Sequence, residues 1–523
     1  MGNTDSSPPL PLKQSHVVII GGGPAGLSVA KQLVAEKGFT ITLIDKKEFY
    51  EHKPSLIGHL CDMRDPKFAE EYRRTKQVLY KDIPGIAFVL GEAVEVRKAS
   101  VVVQSVYFKS GSKEFDFDFL VLAHGRRYSA PEWECQDAKV DDRTDQFFIL
   151  NGNVRHARNL LIVGAGLVGV ETAATILSTS ALSVPSSSSS SSSSTPAPTP
   201  AATGTGAAPA EADKSPTVHV TLVSSHDCIL PSIDSSSLRA SVLQYLTSFP
   251  NFRVIYKTRG FLSKSRLQLE EEEEKKLREQ ESEWRASIDQ LHEEVVVNKS
   301  PQRSHKQLLS ENATGSGGCS DGSGGGSGKL GKKLISVDLV SEESGAATVV
   351  QADYVIQCTG VRPGGGGAGF LNAHYSHGVD AATGLVRVNA FLQVVGCTSI
   401  FAVGDCSSVD KKMQTHDHAV AEAAYCVKNI LTIAQTGAAT VNNPSREGVE
   451  SNGGVSELSA DETALTAYAV QKDSVVVALN QHEAVAEGGV FFSLVGWLGA
   501  KATADWKRKR ADSFIEMLKK HAQ

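Results

Sequence analysis

Two glycine-rich turns, each between a short apolar run and a helical pattern, constrain this chain more than any other feature. The first is Gly21-Gly22-Gly23-Pro24-Ala25-Gly26. It follows the apolar run 16–20 and opens a helical stretch over 27–36. With strand and helix in place, G-x-G-x-x-G has a mechanical reading. The first glycine makes the tight turn, the second lets the backbone approach a pyrophosphate, and the third lets helix and strand pack closely. The phosphates meet unpaired N–H groups at the helix N-terminus, where Pro24 and Ala25 stand. Asp45 ends the next apolar run, 40–44, about 20 residues on, where an acid holds a ribose hydroxyl.

The second turn is Gly164-Ala165-Gly166-Leu167-Val168-Gly169, after the run 159–163 and before a helix carrying Glu171. Its following strand, 218–223, ends in Ser224-Ser225-His226 without an acid. An acid there repels the extra phosphate of NADP, so its absence leaves NADPH acceptable alongside NADH. Two such turns imply two dinucleotides, of which one resident FAD and one diffusing nicotinamide is the usual arrangement. A further strand, 399–403, runs into Gly404-Asp405, whose carboxylate can reach a ribityl or ribose hydroxyl of FAD.

Apolar strands also read at 119–123 and 354–357. Strands alternating with helices predict an α/β fold with parallel, doubly wound sheets. The expected architecture is two Rossmann-like dinucleotide-binding domains plus a small C-terminal α/β region. The FAD-binding domain is expected over 16–150 and 376–432. The NAD(P)H-binding domain, 151–375, is inserted in it. A loop at 433–460 leads to the C-terminal region, 461–523. Residues 184–216, with an unbroken serine run at 186–194, read as a disordered loop. Residues 262–333 hold a charged segment and then a Gly/Ser-rich linker. Neither carries enough apolar surface to offset the entropy of ordering it.

The chain of 523 residues has 53 Lys plus Arg against 59 Asp plus Glu, a net charge of −6. That balance lacks the basic field of a nucleic-acid binder. Its 8 cysteines form no CxxC pair and no Cys/His set with zinc spacing, which predicts free thiols, a reducing compartment and no metal site. No apolar run reaches the roughly 18–20 residues needed to span a bilayer. Met1-Gly2-Asn3-Thr4-Asp5-Ser6 fits the pattern for myristoylation of Gly2, with an unmodified leader as the plain alternative. The stretch 506–510 is basic, and Phe514, Ile515, Met517 and Leu518 follow among lysines. This is a short basic amphipathic helix, either docked on the core or touching anionic lipid.

Residues 17–45, 119–125, 160–176, 354–360, 385–408 and 412–430 together resemble the two-dinucleotide flavoprotein reductases. The likeness is greatest to the apoptosis-inducing-factor-like and ferroptosis-suppressor group of FAD-dependent pyridine nucleotide oxidoreductases. The resemblance implies FAD held by Gly21, Gly23, Gly26, Asp45 and Asp405. It implies NADH or NADPH held by Gly164, Gly166, Gly169 and Glu171, with Gly360 closing the nicotinamide side and Glu171 positioning the ring. Where the family has Ala-Thr-Gly, this chain has Ala123-His124-Gly125. The implied activity passes hydride from NAD(P)H to flavin and two electrons to a quinone of the ubiquinone or vitamin K type. The implied location is cytoplasmic, peripheral on membranes or lipid droplets through Gly2. Disulfide reductases carry C-x4-C after the FAD domain's second strand; residues 46–60 hold no cysteine and Cys61 stands alone, so electrons are expected to leave directly from the flavin. His52-Lys53-Pro54 are expected near the isoalloxazine, with Lys53 contacting the cofactor. His52 either donates a proton to the quinone or packs against the flavin. A helix starting near Gln414-Thr415-His416 would turn its positive end to the reduced flavin. Two rival readings stay open: a soluble reductase of a ferredoxin- or rubredoxin-like protein, and a slow-turnover redox-sensing flavoprotein.

Overall fold

A computed structural model describes residues 14–61, 76–128, 133, 138–182, 218–262, 334–361, 368–409, 414–436, 465–470, 475–479, 484–487 and 500–520. Gly2, the serine run and residues 263–333 lie outside the described residues, as does most of the loop expected at 433–460. The chain divides into two compact units, one of residues up to Thr258 together with those from Tyr354 onward, the other Arg259–Asp353.

The larger unit holds two parallel sheets. In the first, β1 (Ser15–Ile20) is followed by α1 (Pro24–Val34) and β2 (Phe39–Asp45). Proline at the first helical position suits α1, because its missing N–H is unneeded there and its fixed φ is already helical. Next come β3 (Phe49–Glu51), α2 (Leu56–Leu60), β4 (Gln77–Leu79) and β5 (Ala87–Leu90). An antiparallel meander of β6 (Glu92–Val96), β7 (Ser100–Gln104) and β8 (Ser112–Asp116) leads into β9 (Phe119–Leu122). The sheet order is β17-β9-β1-β2-β5, where β17 (Ile400–Ala402) arrives from far along the chain and pairs in parallel with β9. β1 is at the centre, and its run Val17 to Ile20 is apolar because helices or loops cover both faces.

Helix α3 (Val140–His156) buries Arg143, Phe147, Asn151 and Val154, a stripe at helical spacing. The second sheet then builds from β10 (Asn159–Val163), α4 (Leu167–Leu182), β11 (His219–Val223), α5 (Ser236–Thr247) and β12 (Phe252–Ile255), in the order β12-β11-β10-β16 with β16 at Tyr354–Gln357. Its three strand pairings, β10 with β11, β10 with β16 and β11 with β12, are parallel. The smaller unit carries a sheet ordered β13-β14-β15, from β13 (Thr258–Leu262), β14 (Ile335–Ser341) and β15 (Ala347–Ala352). β14 and β15 pair antiparallel.

After β17, the 21-residue α6 (His416–Thr436) packs along α1. The C-terminal segment then touches both parallel-sheet cores. The hairpin β18 (Val475–Ala478) and β19 (Ala484–Glu487) puts Val477 and Leu479 into the core around β10. Helix α7 (Ala500–Lys519) puts Phe514, Ile515 and Leu518 into the core around β1. Of the two readings open for this helix, docking on the core is what the structure shows. Its apolar face is committed inward, while Lys509 and Arg510 stay exposed. Among the described residues, no helix is long and apolar enough to cross a membrane.

Candidate functional site: two dinucleotide turns and a cavity

The two glycine turns share one geometry. Gly21 and Gly164 take φ of +103° and +108°, in the region that disfavours side chains. A Cβ on Gly26 would stand 2.0 Å from the Gly21 carbonyl oxygen, and one on Gly169 would stand 1.9 Å from that of Gly164. Gly23 and Gly166, in contrast, have nothing within 4 Å of a Cβ position. The first and third glycines are therefore demanded by the fold, and the middle ones keep room for a ligand, as the pyrophosphate-binding pattern requires.

At the first turn a cavity of about 370 Å³ runs along the C-terminal ends of β1, β2 and β9. Its wall includes residues 20–25, 44–47 and 123–128 together with Gly404, Asp405 and Gln414, Thr415 and His416. The expected FAD residues Gly21, Gly23, Pro24, Ala25, Asp45, Lys53, Gly125 and Asp405 all line it. Gly26 lies behind them in the first turn of α1. Asp45 accepts hydrogen bonds from Gly22 N (2.6 Å) and Lys47 N (2.9 Å), which fix its carboxylate at the strand end. The N-terminus of α6 reaches the wall through His416, so the positive end of that helix dipole faces the cavity. The donors and the open glycine cradle fit FAD.

Three features here were not visible from motifs. Tyr80 is fully buried, and its hydroxyl donates to Gly22 O at 3.0 Å. Its ring fills the place a Cβ of Gly22 would need, 2.3 Å from Tyr80 Cζ. Burial, and then the nearby charge of Asp45, push the phenol pKa well above its ordinary value, so it remains a donor. Tyr80→Phe should cost about 1–3 kcal/mol by leaving Gly22 O without this donor. Lower FAD affinity together with a lower unfolding temperature is the expected result, and an unchanged variant would refute the role.

The second feature is a buried ion pair on the cavity's flank. Arg143 Nε and Nη2 donate to the two oxygens of Glu51 at 3.0 and 3.2 Å, and both side chains are within 1% of complete burial. Gln77 adds a bond at 3.2 Å. Burial works to raise the Glu51 pKa, but the charges of Arg143 and Lys47 and the hydrogen bonds outweigh it and hold the carboxyl below its ordinary value. Asn151, two turns along α3 from Arg143, donates to Leu60 O at 2.8 Å. Helix α3 thus ties down β3 and α2 together.

The third feature concerns the predicted pair His52 and Lys53. Lys53 lines the cavity and its ammonium lies 4.5 Å from the Tyr128 ring centroid. His52 is not among the lining residues. It is buried, with Nδ1 2.7 Å from Ser55 Oγ and its ring 5.6 Å from that of His416. The histidines on the cavity wall are His124 and His416.

Glu171 is placed away from this cavity. It is buried on α4, and its Oε1 accepts from Ala478 N at 2.8 Å, tying β18 to the second sheet's helix layer. Glu171→Ala should therefore lower stability by about 1.5–3 kcal/mol, with Glu171→Gln retaining most of it because an amide oxygen still accepts. Thermal unfolding of the two variants separates this from a role confined to the nicotinamide, which would move KM for NADH alone. Gly360, at φ +79° just beyond β16, has open space at its Cβ position. Cys61 is fully buried in the core around β10, and the described cysteines are all free thiols.

Two parallel sheets, each with its own dinucleotide turn, the first completed by a strand that returns late in the chain, define a two-dinucleotide flavoprotein reductase. The sequence profile of the pyridine nucleotide-disulphide oxidoreductases matches residues 15–259 and 328–423, and the chain belongs to that family. Proteins of that family bind FAD and use NADH or NADPH. It is 26% identical over 166 residues to apoptosis-inducing factor homolog B of Dictyostelium discoideum, covering 32% of this chain and 39% of that one. It is 29% identical over 165 residues to ferroptosis suppressor protein 1 of Homo sapiens, covering 31% and 40%. These matches span about two fifths of each relative's length. The fold is that of the sulfide:quinone oxidoreductase from Aquifex aeolicus, with TM-score 0.55, 13% identity and coverage of 97% of this chain and 91% of that one. NDH2 from Plasmodium falciparum gives TM-score 0.54 at 11% identity, covering 97% and 98%.

Proposed function

We propose that the chain is an NAD(P)H:quinone oxidoreductase that works at a membrane surface. The observation that carries this reading is the missing dithiol. Residues 46–60 hold no cysteine, and Cys61 is a core residue. FAD supplies the hydride acceptor and the two-electron donor. The protein's part is to hold it. The open backbone at Gly23 meets the pyrophosphate, Asp45 and Asp405 take sugar hydroxyls, and the α6 N-terminus and Lys53 favour negative charge on the ring. Gly164, Gly166 and Gly169 cradle the nicotinamide dinucleotide. With no acid at the end of β11, where Ser225 and His226 are exposed, either NADH or NADPH is accepted. The sulfide:quinone fold relative gives this architecture a quinone-reducing precedent.

The membrane part rests on the Gly2 pattern and on Lys509 and Arg510 facing outward from α7. One acyl chain binds membranes only marginally, and a basic surface supplies the second attraction.

The test uses purified, yellow protein. NADH and NADPH oxidation should be slow alone and accelerate at least tenfold with a short-chain ubiquinone. A rate unmoved by the quinone but raised by a ferredoxin-like protein would replace this reading with that of a soluble protein reductase. In cell fractions, Gly2→Ala should move the protein from membranes to the soluble pool; a variant that stays on membranes refutes the lipid anchor.

A further inference from the structure

We propose that Tyr50 and His416 form a hydrogen-bonding site for a conjugated ring carbonyl at the α6 end of the cavity. Both residues line that cavity. Tyr50 comes from β3 and is 2% exposed, and its hydroxyl is buried without a hydrogen-bond partner. His416 opens α6, and its Nε2 is likewise buried without one. Buried polar atoms are satisfied almost everywhere in folded proteins, because an unpaired one costs about 1–3 kcal/mol. Two of them on one cavity wall mark the place where a ligand supplies what the protein does not.

The surroundings fix both groups. Phe514 of α7 packs against the Tyr50 ring at 5.5 Å and edge-on to His416 at 4.7 Å. His416 Nδ1 lies 3.6 Å from Asp417 Oδ1, which itself pairs with Arg510 at 2.9 Å. The His52 ring lies 5.6 Å from the His416 imidazole, tilted against it. The two residues thus come from elements far apart in sequence and are clamped by a third.

The chemistry of the pair limits what it binds. Burial, reinforced by the charge of Glu51, pushes the Tyr50 pKa up, so the phenol keeps its proton and donates. His416 donates from Nε2 in its doubly protonated form, in which Nδ1–H faces the Asp417 carboxylate. Two donors against aromatic walls suit a carbonyl oxygen on a flat conjugated ring. Such a carbonyl has two sources, the isoalloxazine of bound FAD and a quinone acceptor. The second rests on the function proposed above; the first does not.

Tyr50→Phe and His416→Leu test the site, and two arms distinguish the sources. In the first, FAD affinity is titrated with the apoprotein, and the absorption maximum and midpoint potential of the bound flavin are measured. In the second, kcat/KM for a short-chain ubiquinone is compared with that for ferricyanide, which has no carbonyl. Each variant should lose about five- to tenfold, the weight of one hydrogen bond. A loss of FAD affinity with a shifted spectrum or potential assigns the carbonyl to the flavin. A loss confined to ubiquinone, with ferricyanide unchanged, assigns it to the acceptor. In either case the Tyr50→Phe apoprotein should unfold at the same or a higher temperature, since the removed hydroxyl has no protein partner to lose, whereas His416→Leu also gives up the contact of Nδ1 with Asp417. Unchanged FAD binding and unchanged ubiquinone kinetics in both variants overturn the proposal, and so does a destabilised apoprotein with unaltered ligand binding. If the wild-type protein reduces no quinone, the function proposed above fails and the FAD arm alone decides this site.

Discussion

Gly26→Ala should yield protein that holds no flavin and does not reach a native melting transition. The new Cβ would stand 2.0 Å from the Gly21 carbonyl oxygen, backbone against backbone, with no side chain able to move aside. Overpacking that a core can absorb costs about 1–3 kcal/mol, and this contact forces the turn itself open. Gly23→Ala is the contrasting case. Gly23 is at φ −72°, where alanine is comfortable, and nothing lies within 4 Å of its Cβ position. Its stability should hold or rise by up to about 1 kcal/mol. FAD affinity should nevertheless fall at least tenfold, about 1.4 kcal/mol, because the methyl group occupies the space the pyrophosphate needs. Gly169→Ala and Gly166→Ala should repeat the contrast at the second turn, with NAD(P)H in place of FAD. Thermal unfolding and flavin absorbance read both halves. A Gly26→Ala protein with full flavin content and wild-type unfolding would show that the turn does not set the fold.

The second large effect is expected at Arg143. Arg143→Ala leaves Glu51 as a buried carboxylate without its counter-charge, and should cost about 3–5 kcal/mol. Against a total stability of roughly 5–15 kcal/mol, much of the molecule's reserve is gone. Replacing both partners with apolar residues, Arg143→Met with Glu51→Leu, should recover most of the loss, because the cost lies in the orphaned charge. The pH dependence carries the sign. In the wild type, Glu51 is held below its ordinary pKa. Its contribution is present above the unfolded value of about 4.3 and is lost as pH falls through the lower folded value. In Arg143→Ala, burial is opposed only by the charge of Lys47 and the Gln77 hydrogen bond, so that pKa rises and acid relieves the strain by protonating the carboxyl. Urea midpoints of the two proteins should converge as the pH falls from 7 towards 4.5. A constant gap across that range would mean that Glu51 is not the source of the loss.

These two predictions also divide what was legible in the sequence from what was not. The glycine turns are local. Strand, turn, helix and acid lie within one βαβ unit, so residues 16–45 carry their own geometry, and the structure returns β1, α1 and β2 close to where the apolar pattern puts them. Asp405 could be read because it ends a short apolar strand in the same way. The Glu51–Arg143 pair and the Tyr50–His416 wall could not be read. Their members come from separate elements, and no spacing rule joins them. Only the register of β3, α3 and α6 brings them together. His52 shows the same limit from the other side. Being near the right strand end does not decide which side chain reaches the cavity, and Glu51 and Lys53 line it while His52 turns to His416. Glu171 sits where the motif puts it, yet its carboxylate is engaged by a hairpin some 300 residues later, a partner that only tertiary structure reveals. The meander of β6 to β8 escaped the α/β pattern because antiparallel strands follow alternation rather than solid apolar runs.

The late return of β17 bears on how the protein is made. Cys406, just past that strand, hydrogen-bonds Leu122 O across 284 residues of chain. At about 5–20 residues per second on the ribosome, the first sheet waits roughly 15–60 s for its edge strand. It waits longer for α6, which supplies the cavity's far wall, and longest for α7, whose Phe514 seals against Tyr50. The second sheet, by contrast, has its first three strands in hand by residue 255. A nascent chain should therefore acquire NAD(P)H-domain structure before it can retain flavin. A ribosome stalled before residue 500 would carry a colourless protein, and flavin supply during the final seconds of synthesis would decide how much of it matures.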